Sequence, residues 1–378
     1  MSNFLKILIT TEQFPPTISG IATVVSELAL GLANLGHQVT IVTGKLMARD
    51  KAVYPYVTIK EFDIQGGFGR YYKGEKKAYV NYVLSSDADV MINECVQTWN
   101  SDLLFPHLTK IKAVRILHSH GFPLFQSKSR NPWANLKAKF YYRSLIQHLK
   151  NYDKVLVLSY LVSEIPYFQK YHFNNYEILP NGVPHQIIVP EPKKLPKNPF
   201  LLSISNFFPM KNQELILKAF YLSSNKATLI FIGSSQLHGY LHKLKSLKQS
   251  LDAKYGEREV FFYDTLSREE TLNYLTRASV FLHSSKLEVF PVVILEAMAT
   301  GTPWICTNVG NVKELVGGII IDHEQTMAVV IDTLLTDQTY YSRLSVEGLN
   351  AIKSHYTWPK ITKSLESIIT EIHNIKFL

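Results

Sequence analysis

Short apolar runs rich in β-branched residues recur along the chain, and stretches with helical spacing separate them. In the first half the runs fall at residues 4–10, 38–43, 90–93, 114–119, 154–159 and 176–179. In the second half they fall at 200–205, 227–233, 278–282, 304–307 and 319–322. Runs of this length, apolar throughout, predict parallel strands covered by helices on both faces. After the first run Pro15 and Pro16 end the strand. Gly20 then opens a helix carried by Leu28, Leu30 and Leu32 and ending near Gly36. With the strand at 38–43 this makes a strand–helix–strand unit of a doubly wound sheet. Residues 45–87 show no clear period. Ser267 and Glu270 predict a capping box for a helix reaching Arg277. A last helix follows residues 356–359 and reaches Phe377. Five prolines (184, 190, 192, 196 and 199) lie between the two series of strands and mark a linker. A chain of 378 residues fits two domains at about 150 residues each.

One stretch organises the rest. Residues 284–301, SSKLEVFPVVILEAMATG, carry Glu288 and Glu296 with seven residues between them. The pattern from 292 to 300 is helical, and Gly301 and Pro303 stop it. Glu288 therefore lies on the loop from strand to helix, and Glu296 lies inside the helix. In an open parallel sheet, ligands sit beyond the carboxyl ends of the strands, and a helix N-terminus there suits phosphate. A carboxylate one or two turns into the helix can still reach sugar hydroxyls. An isolated glutamate in either place is ordinarily a solvated charge. Glu296, however, sits between Leu295 and Ala297-Met298-Ala299, where an unpaired charge is costly.

The run EVFPVVILEAMATGTP resembles the E-x7-E motif of the family 4 retaining, nucleotide-sugar-dependent glycosyltransferases, whose fold is GT-B. Further similarities are Gly36, His37, Val39 and Thr40 (G-H-x-V-T), the segment Pro180-Asn181-Gly182-Val183, and Lys211-Asn212. Three departures stand beside them. Only Gly20, with Ser19 before it, represents the usual pair of glycines in the first loop. Ser205-Asn206 replaces Gly-Arg, so one cation is missing. Pro291 stands where the family has Gly, which removes a backbone N–H.

The resemblance implies an α/β protein of GT-B type, two Rossmann-like domains facing across a cleft. Its parts would be an acceptor-binding domain at 1–183, a linker at 184–199, a nucleotide-sugar-binding domain at 200–355, and a helix at 356–378 crossing back to the first domain. It implies transfer of a sugar from a nucleotide diphosphate to a glycan or lipid-linked acceptor with retained configuration and no metal, in bacterial surface polysaccharide synthesis. A UDP-sugar is the favoured donor, and no cofactor is expected. By position, Glu296 would hold the ribose hydroxyls and Glu288 the donor sugar. Lys211 would neutralise the diphosphate with backbone N–H groups near Phe290 and Val292. Ser205, Asn206 and Gly20 would line the donor. His120 would hydrogen-bond the sugar near the reacting carbon, with His118 as the second candidate; His118-Ser119-His120-Gly121 closes a strand where ligands bind.

Charge and composition adjust this picture. The net charge is +9. Between residues 101 and 160 ten Lys and Arg stand against Asp102 and Asp153, so most of the excess is in one region. Within it, residues 126–150 hold six basic residues, Lys128 and Arg130 among them, and no acid. Lys139, Arg143 and Lys150 fall on one helical stripe, with Trp133, Phe140, Tyr141 and Tyr142 interleaved. This predicts either a docking surface for an anionic membrane or lipid-phosphate acceptor or a solvated basic face. No nucleic-acid module is recognisable. Asp87-Ala88-Asp89 follows two serines and precedes a strand, the form of a turn rather than a metal site. Cys95 and Cys306 have no metal or redox spacing and are expected as free thiols. The apolar core near the N-terminus is too short for a signal peptide, and no apolar run approaches about 18 residues. The expected location is cytoplasmic, peripheral on the inner face of the plasma membrane if the basic helix docks there. Two rival functions share this architecture: a nucleotide-sugar epimerase, and a non-catalytic sugar- or lipid-binding subunit. An NAD-dependent oxidoreductase does not fit, because no G-x-G-x-x-G follows a strand.

Overall fold

The computed structural model of the chain describes residues 4–17, 19–67, 71–122, 132–235 and 239–377. The chain forms two units, Met1–Asn181 with Trp358–Leu378, and Gly182–Thr357.

In the first unit the strands are β1 (Lys6–Thr10), β2 (Gln38–Gly44), β3 (Thr58–Phe62), β6 (Val90–Glu94), β7 (Val114–Ser119), β8 (Lys154–Val157) and β9 (Tyr176–Ile178). They pair in parallel in the order β3-β2-β1-β6-β7-β8-β9. A short antiparallel ribbon, β4 (Ile64–Gln65) with β5 (Lys73–Gly74), stands apart from that sheet. Helices α1 (Gly20–Asn34), α2 (Lys76–Leu84), α3 (Trp99–Asp102), α4 (Pro132–Leu149) and α5 (Glu164–Lys170) connect the strands. Ser19 caps α1 by accepting a bond from Ala22 N–H at 3.1 Å. Val24, Val25, Leu28 and Leu32 of α1 pack with Ile7 and Ile9 of β1.

In the second unit the strands are β10 (Phe200–Ile204), β11 (Thr228–Gly233), β12 (Val260–Asp264), β13 (Val280–His283), β14 (Trp304–Thr307) and β15 (Gly318–Ile321). All pair in parallel, in the order β12-β11-β10-β13-β14-β15. Its helices are α6 (Gln213–Leu222), α7 (Tyr240–Tyr255), α8 (Arg268–Arg277), α9 (Val292–Ala299), α10 (Glu324–Thr336) and α11 (Gln338–His355). The last helix, α12 (Trp358–Phe377), belongs to the first unit: its Ile361, Leu365, Ile368 and Ile369 join the core that holds α1. A Cβ on Gly31 would lie 2.3 Å from Thr362 Oγ1, so α1 and α12 approach only because residue 31 has no side chain.

Each sheet reverses its winding once, between β1 and β6 in the first and between β10 and β13 in the second. The strand ends at such a point leave a crevice open to ligands. The elements at residues 45–87 escaped the periodicity because they are marginal. The edge strand β3 (TIKEF) buries fully only Phe62, and α2 buries only Tyr79 and Val83. The edge strand β12 is likewise half exposed. Asp87 and Asp89 lie at the amino end of the sheet. Asp87 pairs with the Lys6 ammonium, and Asp89 accepts the Lys6 N–H at 2.8 Å. Among the described residues no helix is long and apolar enough to cross a membrane.

Arg49, from the stretch without a period, ties the β1–α1 loop down. Its buried guanidinium donates to Pro15 O (2.7 Å), Phe14 O (3.0 Å) and Gly44 O (2.8 Å) and pairs with Glu61. Removing one member of a buried pair leaves the other uncompensated. Arg49→Ala should therefore lower the unfolding free energy by about 3–5 kcal/mol in urea titrations. A loss below about 1 kcal/mol, the range of exposed pairs, would mean that the loop holds itself.

Candidate active site

In the second unit the loops after β10 and β13 are bound to each other. Ser284 Oγ donates to Lys211 O (3.1 Å) and Asn212 O (2.8 Å), and Ser285 Oγ to Leu287 O (3.0 Å). Lys286 N–H reaches Met210 O at 2.8 Å. Asn212 makes the corner into α6 with φ of 53°, a left-handed conformation that asparagine tolerates. Gly310 serves the same loop from the other side, since a Cβ there would lie 2.5 Å from Val289 O.

This stapling brings Glu288 between the Lys211 ammonium and the His283 imidazole. Its Oε1 accepts from Lys211 Nζ at 2.6 Å and from His283 Nε2 at 3.0 Å. Burial opposes the charge, but His283 and Lys211 outweigh it and hold the carboxyl down at about 2. Its Oε2 accepts no hydrogen bond among the described residues. Glu296 is buried in α9, and both its oxygens are taken by Arg268 from the first turn of α8, with Nη1 at 3.2 Å from Oε2 and Nη2 on Oε1. Arg268 is itself 56% exposed. The capping box of Ser267 and Glu270 starts α8 and so sets the root of that arginine.

The other donor-side candidates sit at the same sheet edge. Ser205 Oγ accepts from Gln213 Nε2 at 2.9 Å, and that amide also reaches Asn206 O at 2.9 Å. Asn206 is exposed, and its Oδ1 accepts from Ser234 Oγ at 3.0 Å. Pro291 occupies the N-cap of α9 without a side-chain bond, and the helix begins at Val292. The Phe290 ring is buried, with Tyr356 at 6.4 Å between centroids.

In the first unit the ends of β6 and β7 build a second cluster. The register pairs Glu94 with His118, so the two side chains share one face. His120, two residues on, returns to that face. Glu94 Oε2 lies 2.6 Å from His120 Nε2 and 3.1 Å from His118 Nδ1. Burial works against the Glu94 charge, yet His118 and His120 hold its carboxyl at about 2. Burial, reinforced by His118, lowers the pKa of the His120 imidazole. Behind the loop stands Glu164, fully buried, accepting from Ser119 Oγ at 2.7 Å and Ser163 Oγ at 3.1 Å. Asn100 fixes the chain on the other side, donating to Glu94 O (2.9 Å) and Thr10 O (3.1 Å). A Cβ on Gly20, at the start of α1, would meet nothing within 4 Å, so the fold itself does not demand glycine there.

Lys139 and Arg143 are exposed on α4, as are Trp133 (73%), Leu136 (42%) and Phe140 (65%), and Lys150 is exposed just past the end of that helix. Lys128 and Arg130 lie outside the described residues. Sequence reasoning missed four residues that hold the candidates in place: His283, Arg268, Glu94 and Glu164. His283 has a signal in hindsight, since FLHSS in the second unit repeats the form of ILHSH in the first.

Comparison with known proteins completes the description. Residues 18–187 match the family described as Glycosyltransferase Family 4, and residues 186–350 match Glycosyl transferases group 1. The chain is 22% identical to the N-acetyl-alpha-D-glucosaminyl L-malate synthase of Bacillus anthracis, an alignment covering 97% of each. It is 34% identical to the mouse GDP-Man:Man(3)GlcNAc(2)-PP-Dol alpha-1,2-mannosyltransferase, over 35% of this chain and 28% of that protein. Among solved structures, the sucrose-phosphate synthase of Thermosynechococcus elongatus superposes with a TM-score of 0.80 at 18% identity, covering 98% of this chain and all of that one. HepE of Anabaena, solved in complex with UDP and glucose, superposes with a TM-score of 0.73 at 16% identity, covering 97% of this chain and all of that one.

The setting of Glu288 makes a pH prediction. Its carboxyl titrates at about 2 when folded and near 4.5 otherwise. A depressed carboxyl stabilises the fold above the unfolded value and ceases to do so as pH falls through the folded one. The stability difference between the wild type and Glu288→Gln should thus shrink by about 3 kcal/mol between pH 5 and pH 2 in denaturant titrations. A difference that stays flat would show that Lys211 and His283 do not hold the charge.

Proposed function

Since the chain belongs to glycosyltransferase family 4 and has the GT-B fold, we propose that it moves a sugar from a nucleotide diphosphate to a hydroxyl of a glycan or lipid-linked acceptor, with retention at the anomeric carbon. The observation that carries this is the pairing of Lys211 with Glu288 at the carboxyl ends of β10 and β13. Lys211 has three N–H donors, so it can keep Glu288 and still meet a diphosphate oxygen. The negative charge on the leaving diphosphate grows in the transition state, and a cation fixed in advance stabilises it there. The N–H groups that open α9 add to that field. The free Oε2 of Glu288 takes a donor sugar hydroxyl. Glu296 takes the ribose hydroxyls, with Arg268 sharing its carboxylate or swinging away into solvent. His120 hydrogen-bonds the sugar. This charge arrangement needs no divalent ion. A UDP-sugar is the favoured donor, and the complexes of HepE with UDP and with UDP-glucose support that choice.

For the acceptor, the exposed stripe of Trp133, Leu136 and Phe140 beside Lys137, Lys139 and Arg143 on α4 has the composition of an interfacial helix. In this reading it docks on the anionic inner face of the plasma membrane, where a lipid-linked acceptor would lie, in bacterial surface polysaccharide synthesis.

Two experiments test these statements. A screen of UDP-, GDP- and ADP-sugars by thermal shift and nucleotide release, with and without EDTA, should single out one nucleotide and give release that EDTA leaves unchanged. Glu296→Ala should then weaken that nucleotide roughly 10- to 100-fold, the range for bonds to a charged group. No shift with any donor would leave a non-catalytic binding subunit as the reading, with the missing cation at Asn206 and the missing N–H at Pro291 as its reason. Separately, replacing Lys139, Arg143 and Lys150 with Glu should abolish co-sedimentation with anionic vesicles, at about 1 kcal/mol per basic residue. Undiminished binding would return α4 to a solvated basic face.

A further inference from the structure

The cluster at the ends of β6 and β7 is incompletely satisfied by hydrogen bonds. The contact between His120 Nε2 and Glu94 Oε2 satisfies one edge of it. Glu94 Oε1, His118 Nδ1 and His118 Nε2 are buried and accept or donate no hydrogen bond among the described residues. The 3.1 Å approach of His118 Nδ1 to Glu94 Oε2 lacks hydrogen-bond alignment. Both Glu94 and His118 are 1% exposed. A buried imidazole with neither nitrogen paired is costly, and structures rarely tolerate one without a partner.

One ion can be met by all three residues at once, taking one nitrogen of His118. The three residues can each present a ligand atom such that all lie within 4.8 Å of one another. The register explains why: Glu94 and His118 are opposed on adjacent parallel strands, and His120 follows at the two-residue period of extended chain. Two imidazoles and a carboxylate suit zinc and its transition-metal neighbours, whereas magnesium and calcium require oxygen ligands. We propose that Glu94, His118 and His120 form a transition-metal site, with zinc as its best occupant. The fourth position opens on the side of His120, the more exposed of the two histidines, and is left to water. Binding at this site does not rest on the proposed transfer reaction. One consequence does: an ion on His120 takes that side chain away from the donor sugar, so zinc inhibits an enzyme that otherwise works in EDTA.

The test uses the full chain with any purification tag removed. Calorimetry with Zn2+ should show one saturable site tighter than about 10 µM, or about −7 kcal/mol. Co2+ should give visible absorption bands that Zn2+ abolishes and that millimolar Mg2+ does not. His118→Asn and Glu94→Gln, each checked for native circular dichroism, should weaken Zn2+ at least about 10-fold, as loss of even a supporting group does at such sites. Unsaturable uptake, or affinity unchanged in a folded His118→Asn protein, would overturn the site and leave an internal water as the partner of these groups. Failure of the transfer assay would leave the zinc measurement standing, and failure of zinc binding would leave the transfer reading standing.

Discussion

A carboxylate buried at the end of a parallel strand must be neutralised, and in both units of this protein that requirement shapes the site. Glu94, buried, and Glu288, partly buried, each sit at or just beyond the carboxyl end of a strand that borders the switch point. Left alone there, either would take up a proton or unfold its loop. Glu288 is instead held by His283 and Lys211, and Glu94 by His120, with His118 Nδ1 approaching to 3.1 Å. Strand register decides whether such partners can meet. Shifting β7 by one residue against β6 would turn His118 and His120 to the other face and leave Glu94 unpaired. The charges therefore depend on the sheets, and the loops depend on the charges.

The loops are further fixed by polar side chains that bond to backbone rather than to ligand. Ser284 and Ser285 tie the two loops of the second unit together, and Gln213 braces the one after β10. Asn100 and Arg49 brace backbone in the first unit, and Glu164 holds the Ser119 and Ser163 hydroxyls there. These groups use their hydrogen bonds within the protein, so the side chains they support are held in position without a ligand. Preorganised dipoles and charges do not have to reorient as charge develops, and that is the basis of their effect on a barrier. The loop bearing Glu288 has little freedom left. Gly310 presses on it from one side, and the left-handed turn at Asn212 constrains the other.

Much of this was legible in the sequence, and the rest was hidden for identifiable reasons. The buried strands at 114–119 and 304–307 announce themselves because parallel strands covered on both faces are apolar throughout. The helix of Glu296 is marked by its formers and by Gly301. The exposed edges β3 and β12 alternate weakly and gave no such signal. Partners across long separations were the larger gap. Arg268 reaches Glu296 from a different helix, and Arg49 reaches Phe14 and Pro15 from another connection. Nothing local to Arg49 or Arg268 distinguishes them from the other basic residues, because their roles arise from where the fold places them. Glu94 could have been suspected, since it ends an apolar run one strand away from a pair of histidines.

Under the proposed function, the departures at Asn206 and Pro291 bear on how the donor's charge would be met. An arginine after β10 would supply a second cation beside Lys211. Asn206 instead accepts from Ser234 and offers only a neutral amide. Pro291 opens α9 without an N–H, so the helix presents its first free donors one residue later, at Val292 and Val293. The field at the diphosphate position is then weaker than two cations and a full helix terminus would give. What remains is concentrated on Lys211, which is held in place by Glu288. Pairing with a carboxylate reduces the net charge that Lys211 presents, but it fixes the ammonium where a long flexible side chain would otherwise wander. At 2.6 Å the pair orders the side chain in advance, and the surplus N–H donors remain for phosphate. A site with one cation gains more from that ordering than a site with two, because no second cation is present to compensate for a misplaced first. The Lys211–Glu288–His283 arrangement thus fits the proposed donor role better than stability alone, since an apolar trio of similar volume would stabilise the same loop at least as well.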